Sequence, residues 1–373
     1  MRIGIDAREL GGRPTGVGRY LAGLLREWAA SDRARQHEFV LYGVNPLPMI
    51  RDDGQFTTRQ IPGAGGAWWE QVQLPAAVAA DRLDVFFAPA YTAPIRLNVP
   101  TVLVVHDVSY MAHPEWFTLR EGIRRRWLTQ ASARGAAAII TVSEFSKREI
   151  LDRLAVNETT VHVIRSGIEA PAARQAPASN GRPSILYVGS IFNRRRVVDL
   201  IRGTAALARR YPDVTLDIVG DNRTFPYEDV EKAIALSVLS DRATWHRYAA
   251  EDQVRRLYQG ARAFAFLSEY EGLGTTPLEA LAGGVPPVVL DTEVARESLG
   301  EAAVFVPFNG DVPAIARALE TALFDDEVRT RVLAKAPGVL ATYSWPRAAE
   351  QTLTVIEAVA SHQSSVVSPS RQS

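Results

Sequence analysis

What most constrains this chain is a rhythm: apolar runs of strand length recur with helix-length stretches between them. Arg2 to Asp6, Phe39 to Tyr42, Val85 to Ala88, Thr101 to Val105 and Ala138 to Val142 form a first set. Ser184 to Val188, Thr215 to Val219, Ala263 to Leu267, Val288 to Leu290 and Ala303 to Val306 form a second. Runs apolar on both faces and separated by helices read as parallel strands covered on both sides. The expected fold class is therefore α/β, with two doubly wound domains, and 373 residues suffice for two cores at about 150 residues each. Two such domains joined by one linker would face a central cleft, with ligands beyond the carboxyl ends of the strands.

The expected boundaries follow from composition along the chain. Residues 1–170 form the first domain, and the breaker-rich stretch ending at Pro183 reads as a linker over 171–183. Residues 184–342 form the second. Tyr343 to Ala360 reads as a helix, with Ser344 as N-cap two residues before Pro346, and residues 343–361 are expected to pack back on the first domain. The Ser-rich tail 362–373 is expected to be disordered.

Charge and composition narrow the function classes. Lys plus Arg and Asp plus Glu are both 42, which argues against a general polyanion binder and so against nucleic acid. The absence of cysteine removes disulfides, thiolate nucleophiles, iron–sulfur clusters and Cys-ligated zinc together. The opening Met1-Arg2-Ile3-Gly4-Ile5-Asp6 lacks the apolar core of a secretory signal, and the longest apolar runs fall far short of the roughly 20 residues that span a bilayer. A cytoplasmic protein is expected.

The strongest local signal runs from Ser268 to Pro286. A strand ends at Leu267, a loop carries Glu271, Gly272, Leu273, Gly274 and Thr275, and Pro277 suits the first turn of a helix that stops at Gly283-Gly284. Such a helix start offers free backbone N–H groups to an anion, and a diphosphate could be held there without metal. Glu271 reads either as a solvated loop residue or as a binder of hydroxyls. Glu279 fits a capping box with Thr276, which is compatible with a ligand role. A second strand runs into Gly189 and then Arg194-Arg195-Arg196. These arginines read as phosphate binders or as a solvated charge run. His106-Asp107 follows a buried strand, where His106 could bond a ligand or simply be held by its own loop.

Three weaker signals remain. Gly16 and Gly18, in Thr15-Gly16-Val17-Gly18-Arg19-Tyr20, give a poor dinucleotide fingerprint, because the third glycine is misplaced and the next strand lacks the ribose-binding acid. Trp68 and Trp69 suit sugar stacking or core packing. Leu119 to Gly135 carries Arg120, Arg124, Arg125, Arg126 and Arg134 beside Trp116, Phe117 and Trp127. It reads as an anionic-membrane contact or, with more weight, as a solvated helical face with buried aromatics.

At these residues the sequence resembles family 4 glycosyltransferases of the GT-B architecture, two Rossmann-like domains, nearly end to end. It is most similar to a bacterial mannosyltransferase-like branch. The segments that carry the resemblance are Gly4-Ile5-Asp6-Ala7-Arg8, Thr15 to Tyr20, Trp69-Glu70-Gln71, Ala88-Pro89-Ala90-Tyr91, His106 to Ser109, His113-Pro114-Glu115-Trp116, Thr141 to Ser146, Tyr343-Ser344-Trp345 and the Glu271 to Glu279 pair.

The resemblance implies a retaining transfer of a hexose, foremost mannose from GDP-mannose, to a saccharide or lipid-linked saccharide. It assigns Glu271 to the donor sugar and Glu279 to the ribose. Arg194 and Arg195 would hold the diphosphate, as would the backbone of Leu273, Gly274 and Thr275, and His106 would contact the transferred sugar. Gly16 and Gly18 would border the diphosphate and the acceptor, Gly189 would be among the donor-binding residues, and Arg247 would lie near the nucleobase. The departing phosphate would act as base, so neither cofactor nor metal is expected. A lipid-linked acceptor would bring the protein to the inner membrane face.

The chain departs from the family pattern at several points: Arg195 replaces a lysine, Arg196 an asparagine, Thr275-Thr276 a Leu-Pro-like pair, Arg165-Ser166-Gly167 a Pro-Asn-Gly, and Arg247 a glycine. The competing readings are a nucleotide-sugar epimerase of related fold and a non-catalytic nucleotide-sugar-binding protein, with a dinucleotide dehydrogenase last.

Overall fold

The structure, a computed structural model, describes residues 1–12, 15–47, 54–169 and 183–366. Two compact units emerge. The first comprises Met1–Met111, Arg120–Gly167 and the chain from Tyr343 onward, and the second Ala112–Leu119 and Ile168–Thr342. The short segment 112–119, read from sequence as part of the first domain, therefore belongs by its contacts to the second. The expected linker lies, but for Pro183, outside the described residues.

In the first unit the strands are β1 (Arg2–Asp6), β2 (Glu38–Gly43), β3 (Phe56–Gln60), β4 (Val85–Ala88), β5 (Thr101–Val104), β6 (Ala138–Thr141) and β7 (Val161–Val163). They form one parallel sheet in the order β3-β2-β1-β4-β5-β6-β7. Successive side chains feed two cores, as the pleat demands. Ile3, Ile5, Phe39, Leu41 and Phe87 face one side, against Leu21 and Trp28 of helix Gly16–Ala30, while Val40, Tyr42, Phe86 and Leu103 face the other, against Trp69 and Leu74.

The second unit holds β8 (Ser184–Val188), β9 (Thr215–Val219), β10 (Ala243–His246), β11 (Ala263–Phe266), β12 (Pro287–Leu290) and β13 (Val304–Val306). Its parallel sheet runs β10-β9-β8-β11-β12-β13. Three strands, β3, β7 and β10, escaped the sequence reading. All lie at sheet edges, where one side needs no cover, and their sequences Phe-Thr-Thr-Arg-Gln, Val-His-Val and Ala-Thr-Trp-His contain no apolar run.

The C-terminal helix, Trp345–Val366, belongs to the first unit. Ala348, Ala349, Leu353 and Ile356 enter the core that Trp28 occupies, and Trp28 Nε1 donates to the Ala349 carbonyl at 3.0 Å. Ser344 Oγ accepts from Arg347 N at 3.4 Å. The helix overruns its expected end, so residues 362–366 of the supposed tail are helical, and residues 367–373 lie outside the described residues. Trp69 is core, whereas Trp68 is 72% exposed.

Candidate functional site

In a doubly wound sheet the crevice opens where strand order reverses, beyond the carboxyl ends. In the second unit that point lies between β8 and β11. β8 runs into Gly189, Ser190 and a short helical turn, Asn193–Arg195, while β11 runs into the loop 267–274. The two loops meet. Arg195 Nε donates to Glu271 Oε1 at 2.9 Å, Arg194 Nε stands 3.9 Å from the same oxygen, and Ser268 Oγ donates to it at 2.8 Å. Arg195 also donates to the Ser190 carbonyl at 2.8 Å and lies over the Phe266 ring, 4.8 Å from its centroid. Gly189, at φ 145°, leaves room for it, because a Cβ there would come within 2.7 Å of the guanidinium.

Burial pushes the Glu271 carboxyl up, but Arg195 and Arg194 outweigh it, so its pKa falls below the usual 4.5. The site thus holds two cations against one carboxylate, leaving net positive charge. Arg194 Nε is buried with no hydrogen-bond partner. The β11 loop is pinned on both sides: Glu269 N donates to the Arg194 carbonyl at 2.8 Å, and Ser298 Oγ to the Leu273 carbonyl at 2.8 Å.

Helix Thr275–Ala282 begins two residues earlier than a capping box requires. Gly274, at φ 77°, is its N-cap, a left-handed position that glycine adopts without strain. Thr276 is thereby its second residue and Glu279 its fifth, so the capping box read from sequence does not form. The Thr276 hydroxyl is buried without a hydrogen-bond partner beside N–H groups of the first turn that the helix itself cannot satisfy.

Arg196 takes φ 47°, a region where asparagine is enriched among non-glycine residues. Its guanidinium bonds Asp199 Oδ2 and the Gly310 carbonyl, both at 3.0 Å, contacts that offset the backbone cost. Arg247 stands apart, after the edge strand β10. It is paired with Glu231 at 2.7 Å and lies over Trp245, 4.4 Å from the ring centroid.

In the first unit the order reverses between β1 and β4. His106, just after β5, has its Nε2 2.9 Å from the Pro89 carbonyl, which can only accept. The proton is thereby fixed on Nε2 and Nδ1 is left as an acceptor. Burial lowers the His106 pKa below 6.5, so the ring is neutral at pH 7. Helix Gly16–Ala30 starts beyond β1, where Thr15 Oγ1 accepts from Gly18 N at 2.9 Å. The two glycines differ: a Cβ on Gly18 would meet the Glu9 carbonyl at 2.4 Å, while Gly16 has open space.

A buried ionic cluster here was not read as a site from sequence. Arg8 bridges Asp6, at 2.7 Å, and Glu70, and Thr92 Oγ1 donates to Glu70 at 2.6 Å. Burial raises the Asp6 pKa to about 6 despite Arg8. The signal that could have found it is an acid closing an apolar strand, Ile5-Asp6, two residues before an arginine.

Comparison with known proteins decides what this arrangement belongs to. Residues 14–170 match the family described as Glycosyltransferase Family 4, and residues 170–338 match Glycosyl transferases group 1. The chain belongs to glycosyltransferase family 4. An O-antigen chain mannosyltransferase B of Escherichia coli is 27% identical over 289 residues, 72% of this chain and 73% of that protein. An alpha-D-kanosaminyltransferase of Streptomyces kanamyceticus is 28% identical over 274 residues, 68% and 69% of the two chains.

Among solved structures, WaaG, a glycosyltransferase involved in lipopolysaccharide biosynthesis, superposes with a TM-score of 0.75 at 16% identity. That match covers 95% of this chain and 99% of WaaG. The fold is thus GT-B, with two Rossmann-like units, and the protein is a glycosyltransferase. Among the described residues no helix of this transferase is long and apolar enough to cross a membrane.

Proposed function

We propose that this glycosyltransferase transfers a hexose, foremost mannose from GDP-mannose, with retention of configuration, to a saccharide or lipid-linked saccharide acceptor. The observation that carries the reading is the convergence of Arg194 and Arg195 on Glu271 at the strand-order reversal of the second unit, next to an open helix start. Two guanidinium groups and the N–H groups of Leu273, Gly274 and Thr275 suit a diphosphate. They supply its counter-charge without a metal. Glu271 spends Oε1 on Arg195 and Ser268 and keeps Oε2 for a sugar hydroxyl. Glu279 is assigned the ribose, His106 the transferred sugar, Gly16 and Gly18 the border of the diphosphate, and Arg247 the vicinity of the base.

The acceptor oxygen bonds to the anomeric carbon on the face the donor phosphate leaves. The carbon–oxygen bond to phosphate breaks as the acceptor's proton passes to the departing phosphate oxygen. Mannose as the sugar is supported by the mannosyltransferase relative.

A thermal-shift panel of GDP, UDP and ADP with their sugars, with and without magnesium, tests the donor. The guanine series should raise the melting temperature, and Arg195→Ala should abolish the rise. A rise confined to another base would replace the donor named here. Glu271→Gln, which preserves shape, should lower transfer at least about a hundredfold, as loss of a preorganised electrostatic partner does. Full transfer by that variant would remove Glu271 from the reaction.

A further inference from the structure

The segment that joins β4 to β5 turns on a residue ill suited to its conformation. Tyr91 has φ 64°, a left-handed value that is a genuine outlier for so bulky a side chain. Thr92 N donates to the Ala90 carbonyl at 2.7 Å, so Tyr91 is the central residue of a γ-turn of the rare, strained kind. Such strain persists only where the surroundings over-determine it, and it collects at functional sites. The Tyr91 side chain shows what the strain secures: its ring meets His106 edge-on, 5.4 Å between centroids, and its hydroxyl donates to Asp107 Oδ2 at 3.0 Å. The Pro89 carbonyl, just before the turn, is the acceptor that fixes the proton of His106 on Nε2.

The bonds that hold the turn come from outside it. Thr92 Oγ1 donates to Glu70 Oε1 at 2.6 Å, Tyr91 N to the Val104 carbonyl at 2.9 Å, and Gln71 Nε2 to the Ala93 carbonyl at 3.1 Å. The Ala93 backbone also exchanges two hydrogen bonds with Ser132 Oγ, at 3.0 and 3.1 Å. Ser132 belongs to the buried face of helix Leu119–Gly135, which Leu128 and Ala133 fill, so Trp127 is left 63% exposed where the sequence suggested a buried aromatic. Glu70 is 2% exposed and sits in a five-residue π-helix, Trp69–Gln73, a rare form that is frequent at functional sites. Arg8, bonded to the same Oε1, compensates its charge and so keeps a strong acceptor buried against Thr92.

We infer that Glu70 and Thr92 are positioning residues for His106: they hold the strained turn at Tyr91, and with it the Pro89 carbonyl that keeps the ring proton on Nε2 and leaves Nδ1 an acceptor. The ring needs such help. A neutral imidazole carries its proton on either nitrogen, and only one tautomer accepts a hydroxyl's hydrogen bond at Nδ1. Tyr20 packs edge-on against the ring, 5.0 Å between centroids, but an aromatic edge does not choose between the two nitrogens. The choice falls to Pro89, and the place of Pro89 to the bond between Thr92 and Glu70. The tautomer rests on this geometry alone, whereas its use in transfer rests on the reading of His106 as the residue that meets the transferred sugar.

Nitrogen NMR of the full chain with labelled histidine, recorded without substrate, reads the tautomer directly, and His106→Asn assigns the signals. The wild type should show Nε2 protonated and Nδ1 not. Thr92→Val keeps the shape of a half-buried residue and removes the donor, and should bring the two nitrogens toward a tautomer average. Thr92→Ser should restore the wild-type pattern, and Glu70→Leu added to Thr92→Val should change nothing further. Circular dichroism identifies the folded variants, and where Glu70→Leu fails to fold, with Arg8 left uncompensated, the Val and Ser pair decides. A wild-type tautomer in folded Thr92→Val overturns the proposal. For transfer of the nucleotide sugar that the thermal-shift panel selects, Thr92→Val should lower kcat about tenfold and change the donor KM by less than about twofold. A wild-type kcat in Thr92→Val beside a slow His106→Asn also overturns it. Wild-type transfer by His106→Asn would instead remove His106 from the reaction and leave the tautomer result standing.

Discussion

Asp6 and Glu271 are buried carboxylates beside arginines, yet their proton affinities move in opposite directions. For Asp6 burial wins over Arg8, and the pKa rises to about 6 from 3.8. For Glu271 burial loses to two guanidinium groups, and the pKa falls. The signs follow. Asp6 binds more protons folded than unfolded between pH 3.8 and about 6, so its contribution to stability is greatest in acid and is lost as pH rises through that window. Glu271 contributes stability above its unfolded value, and that is lost as pH falls through its folded pKa. Replacing Asp6 by Asn should therefore remove a decline of about 2 kcal/mol between pH 4 and 6.5, read from urea midpoints of both proteins. Parallel pH curves for the two would contradict the burial argument. Glu271, Arg194, Arg195 and His106 could be named as candidates from the sequence because each lies in the segment that follows a buried strand. Their pairings could not be read, since Arg8 meets Glu70 across 62 residues and Arg195 meets Glu271 across 76, separations that no local pattern encodes.

Local grammar placed the elements well where a strand carries an unbroken apolar run, the edge strand β13 included, and failed where polar residues interrupt it, as at β3, β7 and β10. It failed also at the start of helix Thr275–Ala282. Thr276 and Glu279 have the spacing of a capping box, but Gly274 takes the left-handed turn first and shifts the register by two. A glycine's conformation is invisible until its neighbours fix it. Two glycines in helix Gly16–Ala30 show how far apart such residues can be in consequence. Gly18→Ala would drive a methyl into the Glu9 carbonyl and should cost about 1–3 kcal/mol, whereas Gly16→Ala meets nothing and should leave the melting temperature unchanged or slightly raised. Thermal melts of the pair check both. If Gly16 borders a donor or acceptor, Gly16→Ala should lower transfer at unchanged stability, a separation that the Gly18 variant cannot give.

Across the whole molecule, the C-terminal helix completes a core begun more than three hundred residues earlier: Trp28 bonds Ala349 across 321 positions. A chain ended at Thr342 uncovers Trp28 and loses Leu353 and Ile356, each worth about 1.5–3 kcal/mol of burial, against a whole-domain stability of about 5–15 kcal/mol. The first unit should then be digested rapidly by protease while a fragment within residues 183–342 persists. Survival of both would show that the helix is dispensable. The chain changes unit after Met111, Leu119, Gly167 and Thr342. Recombination by one crossover near residue 168 would consequently divide a functional whole in the wrong places. It would leave His113, whose ring lies 5.4 Å from that of Tyr270, facing a foreign partner, and would strand helix Trp345–Val366 with the wrong parent. Shuffling donor halves between relatives succeeds only if the eight residues from Ala112 to Leu119 travel with the second unit and the final helix stays behind.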